Sequence, residues 1–199
     1  MKVTLQLPRR ASYADYLAVE DLSAHRHELI EGVIVAMAGG SDEHNAIAGK
    51  IAMLFGMRTS GACRYYTPDQ RFWIASSFRG RYSDGSIICG KPEHPPHDPQ
   101  ATTNPAVVVE VLSPSSEGDD DGDKRRDFQA CPSLQAYVLT CQDERRVMVY
   151  RRSETGDWLA EADIYRDDDS FRLPMLDADI AVAAIYDGIL DAHGASLLR

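Results

Sequence analysis

At 199 residues, with 44% hydrophobic and 26% charged side chains, the chain is sized for one domain with a sizeable core. Its apolar runs stop well short of the roughly 20 residues that a membrane-spanning helix needs. A net charge of −10 argues against a protein that coats nucleic acid through a basic surface.

The start, Met1-Lys2-Val3-Thr4-Leu5, shows no signal peptide, and the expected location is the cytoplasm. Four cysteines, Cys63, Cys89, Cys131 and Cys141, lack C-x-x-C spacing and are expected as buried, reduced thiols.

Residues 1–10 read as a loose start. Ser12 with Asp15 resembles a capping box, and Tyr13, Tyr16 and Leu17 then share a face of a short packing helix to about Val19. Residues 26–37 read as two strands about a Glu31-Gly32 turn, where glycine permits a positive φ. Glu28 and Glu31 flank the apolar Leu29-Ile30, either both solvated or one facing inward. His25 and His27 are read as structural. Gly39-Gly40 breaks the chain and Ser41 is placed to cap a helix over 42–58, with Ile47, Ile51, Leu54 and Phe55 as its buried stripe. Asp42 and Glu43 suit its first turn, and His44 reads as a surface or capping residue.

Strands follow at 63–67 and 70–75, then a turn over 77–80. The spacing predicts a further strand over 81–89, polar first and apolar after, with Asp84 at its entrance. A turn aspartate before Gly85 is the plain reading of Asp84. The segment 90–104 holds four prolines and reads as a surface loop, with no role for His94 or His97.

Pro105-Ala106-Val107-Val108-Val109-Glu110-Val111-Leu112 is a β-branched run that reads as a strand covered on both faces. Glu110 within it must be paired, protonated or bound to a metal, because an unpaired buried carboxylate costs several kcal/mol. The alternatives at this point are a metal ligand, an arginine partner, or an acid turned out at the strand's end. The acidic stretch 117–123 reads as a flexible, solvated loop without the EF-hand spacing. A helix with Lys124, Arg125 and Arg126 near its start ends by Cys131-Pro132. Strands are expected at 134–141, 146–151 and 158–165, and a short closing element over 180–190.

In sum the order is α-β-β-β-α-β over about 42–141, an α/β fold with an N-terminal helix and hairpin and extra C-terminal strands, all in a single domain 1–199. If the strands bearing Asp84 and Glu110 are neighbours, two converging carboxylates repel unless a cation sits between them. Oxygen donors of this kind suit Mg²⁺ or Mn²⁺, and the ion itself would supply the positive charge the surface lacks. A lysine beside them could orient an attacking water.

Four segments carry a resemblance to a known family: His27-Glu28-Leu29-Ile30-Glu31-Gly32, Tyr82-Ser83-Asp84, Asn104 to Ser115, and Asp121-Gly122-Asp123-Lys124. In this order and spacing the chain resembles the Uma2 family, bacterial proteins assigned as endonucleases with the PD-(D/E)XK restriction endonuclease-like fold. The likeness runs from about Tyr13 to Asp187. It implies metal binding by Asp84, Glu110 and the main-chain carbonyl of Val111, with Lys124 taking the place of the lysine that the wider superfamily sets two residues after the acid, where this chain has Leu112. It also implies a further acid at the site, Glu28, with Glu31 the weaker candidate. His44 matches a histidine of the family with no role attached. Ser83 replaces the family's proline, a change of backbone fixing and not of ligand chemistry. The expected activity is metal-dependent DNA cleavage by a homodimer. The alternatives are a non-catalytic nucleic-acid- or protein-binding module, which the net acidity favours, and an enzyme of another phosphate ester.

Overall fold

The computed structural model describes residues 4–5, 10–113, 116–190 and 193–196. Most of the expected loose start, and Pro114-Ser115, lie outside these. In chain order the elements are β1 (Thr4–Leu5), α1 (Tyr13–Leu22), β2 (His27–Ile30), β3 (Val33–Ala36), α2 (Asp42–Arg58), β4 (Cys63–Tyr66), β5 (Arg71–Ile74), β6 (Arg79–Arg81), β7 (Gly85–Cys89), β8 (Ala101–Thr102) and β9 (Pro105–Leu112). They continue as α3 (Glu117–Asp120), α4 (Asp123–Gln129), β10 (Ala136–Cys141), β11 (Arg146–Arg151), β12 (Asp163–Arg166), β13 (Ser170–Phe171), β14 (Ile180–Ala181) and α5 (Val182–Tyr186).

The fold is mixed α/β. One six-stranded sheet runs β12-β11-β10-β9-β7-β4 and another runs β1-β3-β2-β6-β5-β8. In the first, β9 and β10 pair parallel, with Val109 opposite Val138, and the other pairs are antiparallel. The expected α-β-β-β-α-β core is α2-β4-β7-β9-α4-β10, and β5, β6 and β8 leave it for the second sheet.

All eight residues of β9 are buried, and the pleat sorts them. Val107, Val109 and Val111 join Ile47, Ile51 and Phe55 of α2 and the C-terminal residues Leu176, Ile185 and Tyr186. Val108 and Leu112 join Phe128 of α4, Tyr137 and Leu139 of β10, and Phe72 of β5. Glu110 shares the parity of Val108 and Leu112. The alternation therefore aims its carboxylate at the α4 side.

Five local expectations need correction. The strand expected over 81–89 is two strands in different sheets, because the Tyr82 N–H donates to Glu28 Oε1 (3.1 Å) instead of continuing a ladder, and the Ser83 hydroxyl donates to the Gly85 carbonyl (3.1 Å) across the bend. The expected surface loop 90–104 contains β8, parallel to β5, and buries Asp98 against Arg71. The acidic stretch includes the helix α3, whose Asp120 is buried. The strand expected from Trp158 begins at Asp163, since the Trp158 indole N–H donates to the Gln129 carbonyl (2.9 Å) and holds the chain against α4. Finally, Cys63 and Cys89 are joined in a disulfide, being directly opposite in the antiparallel β4–β7 register. Cys131 and Cys141 are the buried free thiols expected. Among the described residues no helix is long and apolar enough to cross a membrane.

Candidate active site

Four elements meet at one cleft of about 480 Å³: the loop from β3 into α2, the start of β7, the second half of β9, and the α3–α4 corner. Asp84, Glu110, Lys124, Glu28, Asp120 and His44 all line it. β7 and β9 are neighbours with Gly85 opposite Val109, so Asp84 and Glu110 stand side by side across the pair. Gly85 is required at this point, because a Cβ there would meet the Tyr65 hydroxyl at 1.8 Å.

Asp84 is fixed through one oxygen. The Val111 N–H donates to its Oδ2 (2.7 Å), and His44 Nε2 lies 3.1 Å from the same atom. His44 reaches it from the first turn of α2, where its own N–H is capped by the Ser41 hydroxyl. Burial works against the charge on each, but their mutual contact, with Lys124 and the Val111 amide beside Asp84, holds the Asp84 carboxyl below its ordinary value. His44 is likewise held above its own despite burial, by Asp84 and by the Asp120 charge.

Glu110 is different. Burial pushes its carboxyl well above the usual range, and the charges of Asp120 and Asp84 push the same way; only Lys124 opposes them. Lys124 Nζ stands 2.9 Å from Glu110 Oε1, and this buried ion pair is the one cation contact Glu110 has among the described residues. The ammonium also donates to Asp120 Oδ1 (3.4 Å) and lies 4.0 Å from Glu28 Oε1. Although burial disfavours its charge, Glu110, Asp120, Glu28 and Asp84 together keep Lys124 well above its ordinary value. Glu28 is already engaged: Oε2 accepts from Arg81 (3.0 Å) and Oε1 from the Tyr82 N–H.

Four carboxylates thus face one lysine and one histidine, with Arg81 offsetting Glu28 from behind. Among the described residues no three His, Cys, Asp or Glu side chains are gathered closely enough to hold an ion alone. A Mg²⁺ site needs no more than one or two carboxylates, because water and substrate phosphate complete its shell. The surplus negative charge, and a buried Glu110 with Lys124 as its single counter-charge among the described residues, fit such an ion.

A family model described as "Putative restriction endonuclease", Uma2, matches residues 13–183. The chain belongs to the Uma2 family. Among its relatives is the uncharacterised protein slr1290 of Synechocystis, 33% identical, covering 90% of this chain and 93% of that protein. A second is sll1609 of the same organism, 33% identical over 73% of this chain and 83% of its own length. A crystal structure titled as a "putative nuclease belonging to DUF820", from Anabaena variabilis, superposes with a TM-score of 0.65 at 17% identity, covering 84% of this chain and 93% of that one. The shared architecture confirms the restriction endonuclease-like fold.

In this Uma2 chain Asp84, Glu110, Lys124 and Glu28 do come together, while Glu31 stays outside, exposed and paired with Arg79 (2.9 Å). Val111 meets the site through its N–H, which grips Asp84. Sequence reasoning missed Asp120 and left His44 without a task. The four-residue spacing from Asp120 to Lys124, an i,i+4 acid–lysine pair, was the available signal. It was masked by reading the acidic stretch as solvated loop.

Proposed function

We propose that this Uma2 protein is a Mg²⁺- or Mn²⁺-dependent endonuclease that hydrolyses DNA phosphodiester bonds, acting from a single domain and as a homodimer that cuts two strands with two subunits. The observation that carries this reading is the convergence of Asp84, Glu110 and Lys124 in one cleft, with the Lys124 ammonium 2.9 Å from a buried Glu110 oxygen. Asp84 and Glu110 would hold the ion, with the Val111 carbonyl as a further oxygen. When bound, the ion supplies Lewis acidity and charge to a phosphate oxygen.

The chain's own groups do the rest. The Lys124 ammonium is a donor; it orients the attacking water and steadies charge that develops on the phosphate. Water forms the new phosphorus–oxygen bond as the bond to the leaving sugar oxygen breaks; the proton that water gives up passes to solvent, and the sugar oxygen takes one from solvent. His44 and the Val111 amide pin Asp84 through Oδ2. Glu28, clamped by Arg81 and Tyr82, positions Lys124 from the far side. The cytoplasmic location expected from sequence belongs to this reading, although the Cys63–Cys89 disulfide is uncommon in a reducing compartment.

The test is cleavage of duplex DNA by the purified protein with Mn²⁺. Asp84→Ala, which removes a ligand of the ion, and Lys124→Ala, which removes a transition-state donor, are each expected to lower the rate by at least about a hundredfold. Cleavage that persists in both variants removes these residues from the mechanism. The competing reading, a binding module that keeps the fold, draws on the net charge of −10. It is favoured if calorimetry shows no Mn²⁺ uptake by the intact protein.

A further inference from the structure

Asp120 has no part in the chemistry above, yet it is only 5% exposed and its Oδ1 accepts a hydrogen bond from Lys124 Nζ (3.4 Å). Its main chain is held still. The Tyr137 hydroxyl donates to the Asp120 carbonyl (2.8 Å) from the neighbouring β10. Gly122, between Asp120 and Lys124, packs so closely that a Cβ would meet the Gly118 carbonyl oxygen at 2.3 Å. Tyr150 fixes the next residue by donating to Asp121 Oδ1 (2.8 Å). Corners this constrained place a side chain accurately.

Lys124 has three acids in reach, and they are not equivalent. Glu110 is the nearest, and on the metal-dependent reading it is also the acid a divalent ion claims. Glu28 already accepts from Arg81 and the Tyr82 amide. Asp120 is bound to neither and lies four residues before the lysine, across the α3–α4 corner. An ammonium and a dication sharing one cleft repel, so a lysine displaced from Glu110 swings out to water unless a further anion keeps it.

We propose that Asp120 is a positioning residue that retains the Lys124 ammonium in the cleft when a divalent cation takes Glu110, so that metal and lysine occupy the site together. This rests on the metal-dependent reading of the same cleft. Without Asp120 the lysine has Glu110 as its main partner and competes with the ion for it.

The experiment is a double-mutant cycle read by Mn²⁺ calorimetry on the full chain, using wild type, Asp120→Asn, Lys124→Met and the double variant. With Lys124 present, Asp120→Asn is expected to weaken Mn²⁺ binding about tenfold, the lower end for residues that support a metal ligand. In the Lys124→Met background the same change is expected to alter binding by less than about threefold, since no lysine remains to compete. An equal loss in both backgrounds overturns the proposal, because Asp120 then acts on the ion or on the fold directly. Cleavage at saturating Mn²⁺ adds a second readout: Asp120→Asn lowers kcat while KM for DNA stays put, and an unchanged kcat overturns the positioning role. A protein that shows the calorimetric pattern and cuts no DNA overturns the nuclease reading alone. One that cuts DNA and shows equal losses overturns the role of Asp120 alone. Wild type that takes up no Mn²⁺ overturns both.

Discussion

Around Arg71 the buried carboxylates are ringed by hydrogen-bond donors, and around Lys124, among the described residues, Glu110 has a single cation beside it. Arg71 grips Asp98 with two parallel bonds, Nε to Oδ2 and Nη2 to Oδ1, both 2.9 Å, and its third nitrogen reaches Glu20 (3.4 Å). Asp98 also accepts from the Tyr13 hydroxyl and from the amides of Gln100 and Ala101. Glu20 accepts from the Tyr82 hydroxyl and the His27 N–H. Two acids, one arginine and a ring of donors leave nothing wanting. The cleft sets Glu28, Asp84, Glu110 and Asp120 against Lys124, His44 and Arg81, and three of the four acids share Lys124, which is the only cation beside Glu110 among the described residues. The first arrangement is how a fold ties a loop to a sheet. The second is a cost that a fold carries where something else is meant to enter.

The largest stability effect therefore belongs to the matched cluster. Arg71→Met leaves Asp98 and Glu20 buried without their cation and is expected to cost about 3–5 kcal/mol in urea unfolding. A loss under about 1 kcal/mol would mean that the cluster is not what holds 90–104 down.

Asp98→Asn comes next, at about 2–3 kcal/mol, since the bidentate charge-assisted bonds go while a hydrogen-bonding side chain stays. Its pH dependence gives a sharper check. Burial opposes the Asp98 charge, but Arg71, Tyr13 and the Gln100 amide outweigh it and hold the carboxyl below the ordinary value. The unfolded chain then takes up this proton first. Stability from Asp98 is full above the ordinary aspartate value of about 3.9 and drains away as the pH falls below it toward the folded value. The gap between wild type and Asp98→Asn should be constant near neutrality and narrow below about pH 4. A gap that stays constant through that range removes the ionic explanation.

The cleft should behave in the opposite sense. Glu110→Gln keeps the shape, removes a charge that burial disfavours, and is expected to leave metal-free stability within about 1 kcal/mol of wild type, either unchanged or raised. Cleavage is expected to vanish in the same variant. A destabilisation as large as that of Arg71→Met would show that the Lys124–Glu110 contact is structural, and the contrast between the two clusters would collapse.

Much of this was legible in the chain. The helix over 42–58 with its Ser41 cap, the hairpin at 31–32 and the buried strand around Glu110 follow from periodicity and turn chemistry, which are local. Even the convergence of Asp84 with Glu110 needed only that two successive core strands be neighbours, as they are. What was hidden depends on partners far away in sequence. Asp98 looks like part of a proline-rich loop until Arg71, 27 residues earlier, is brought beside it. The break between β6 and β7 exists because Glu28, 54 residues before Tyr82, takes the amide a strand would have used. The Cys63–Cys89 disulfide likewise depends on register between β4 and β7 and not on any spacing motif.

Glu28 and Glu31 carry this lesson to its smallest effect. Both flank the same pair of apolar residues, and pattern alone could not separate them. Glu28 is buried against Arg81 and faces the cleft; Glu31 sits exposed in the two-residue turn between β2 and β3, paired with Arg79. There both Glu31 (φ 52°) and Gly32 (φ 80°) are left-handed, the signs a type I′ hairpin turn requires. Glutamate is poorly suited to that conformation and asparagine is favoured in it. Losing an exposed ion pair costs under about 1 kcal/mol, while the better turn residue returns a similar amount. Glu31→Asn is therefore expected to shift stability by no more than about 0.5 kcal/mol in either direction, with cleavage unchanged. A loss beyond about 2 kcal/mol would show that the Arg79 pair is part of the buried framework, and that the border between framework and surface lies one turn further out than Glu28.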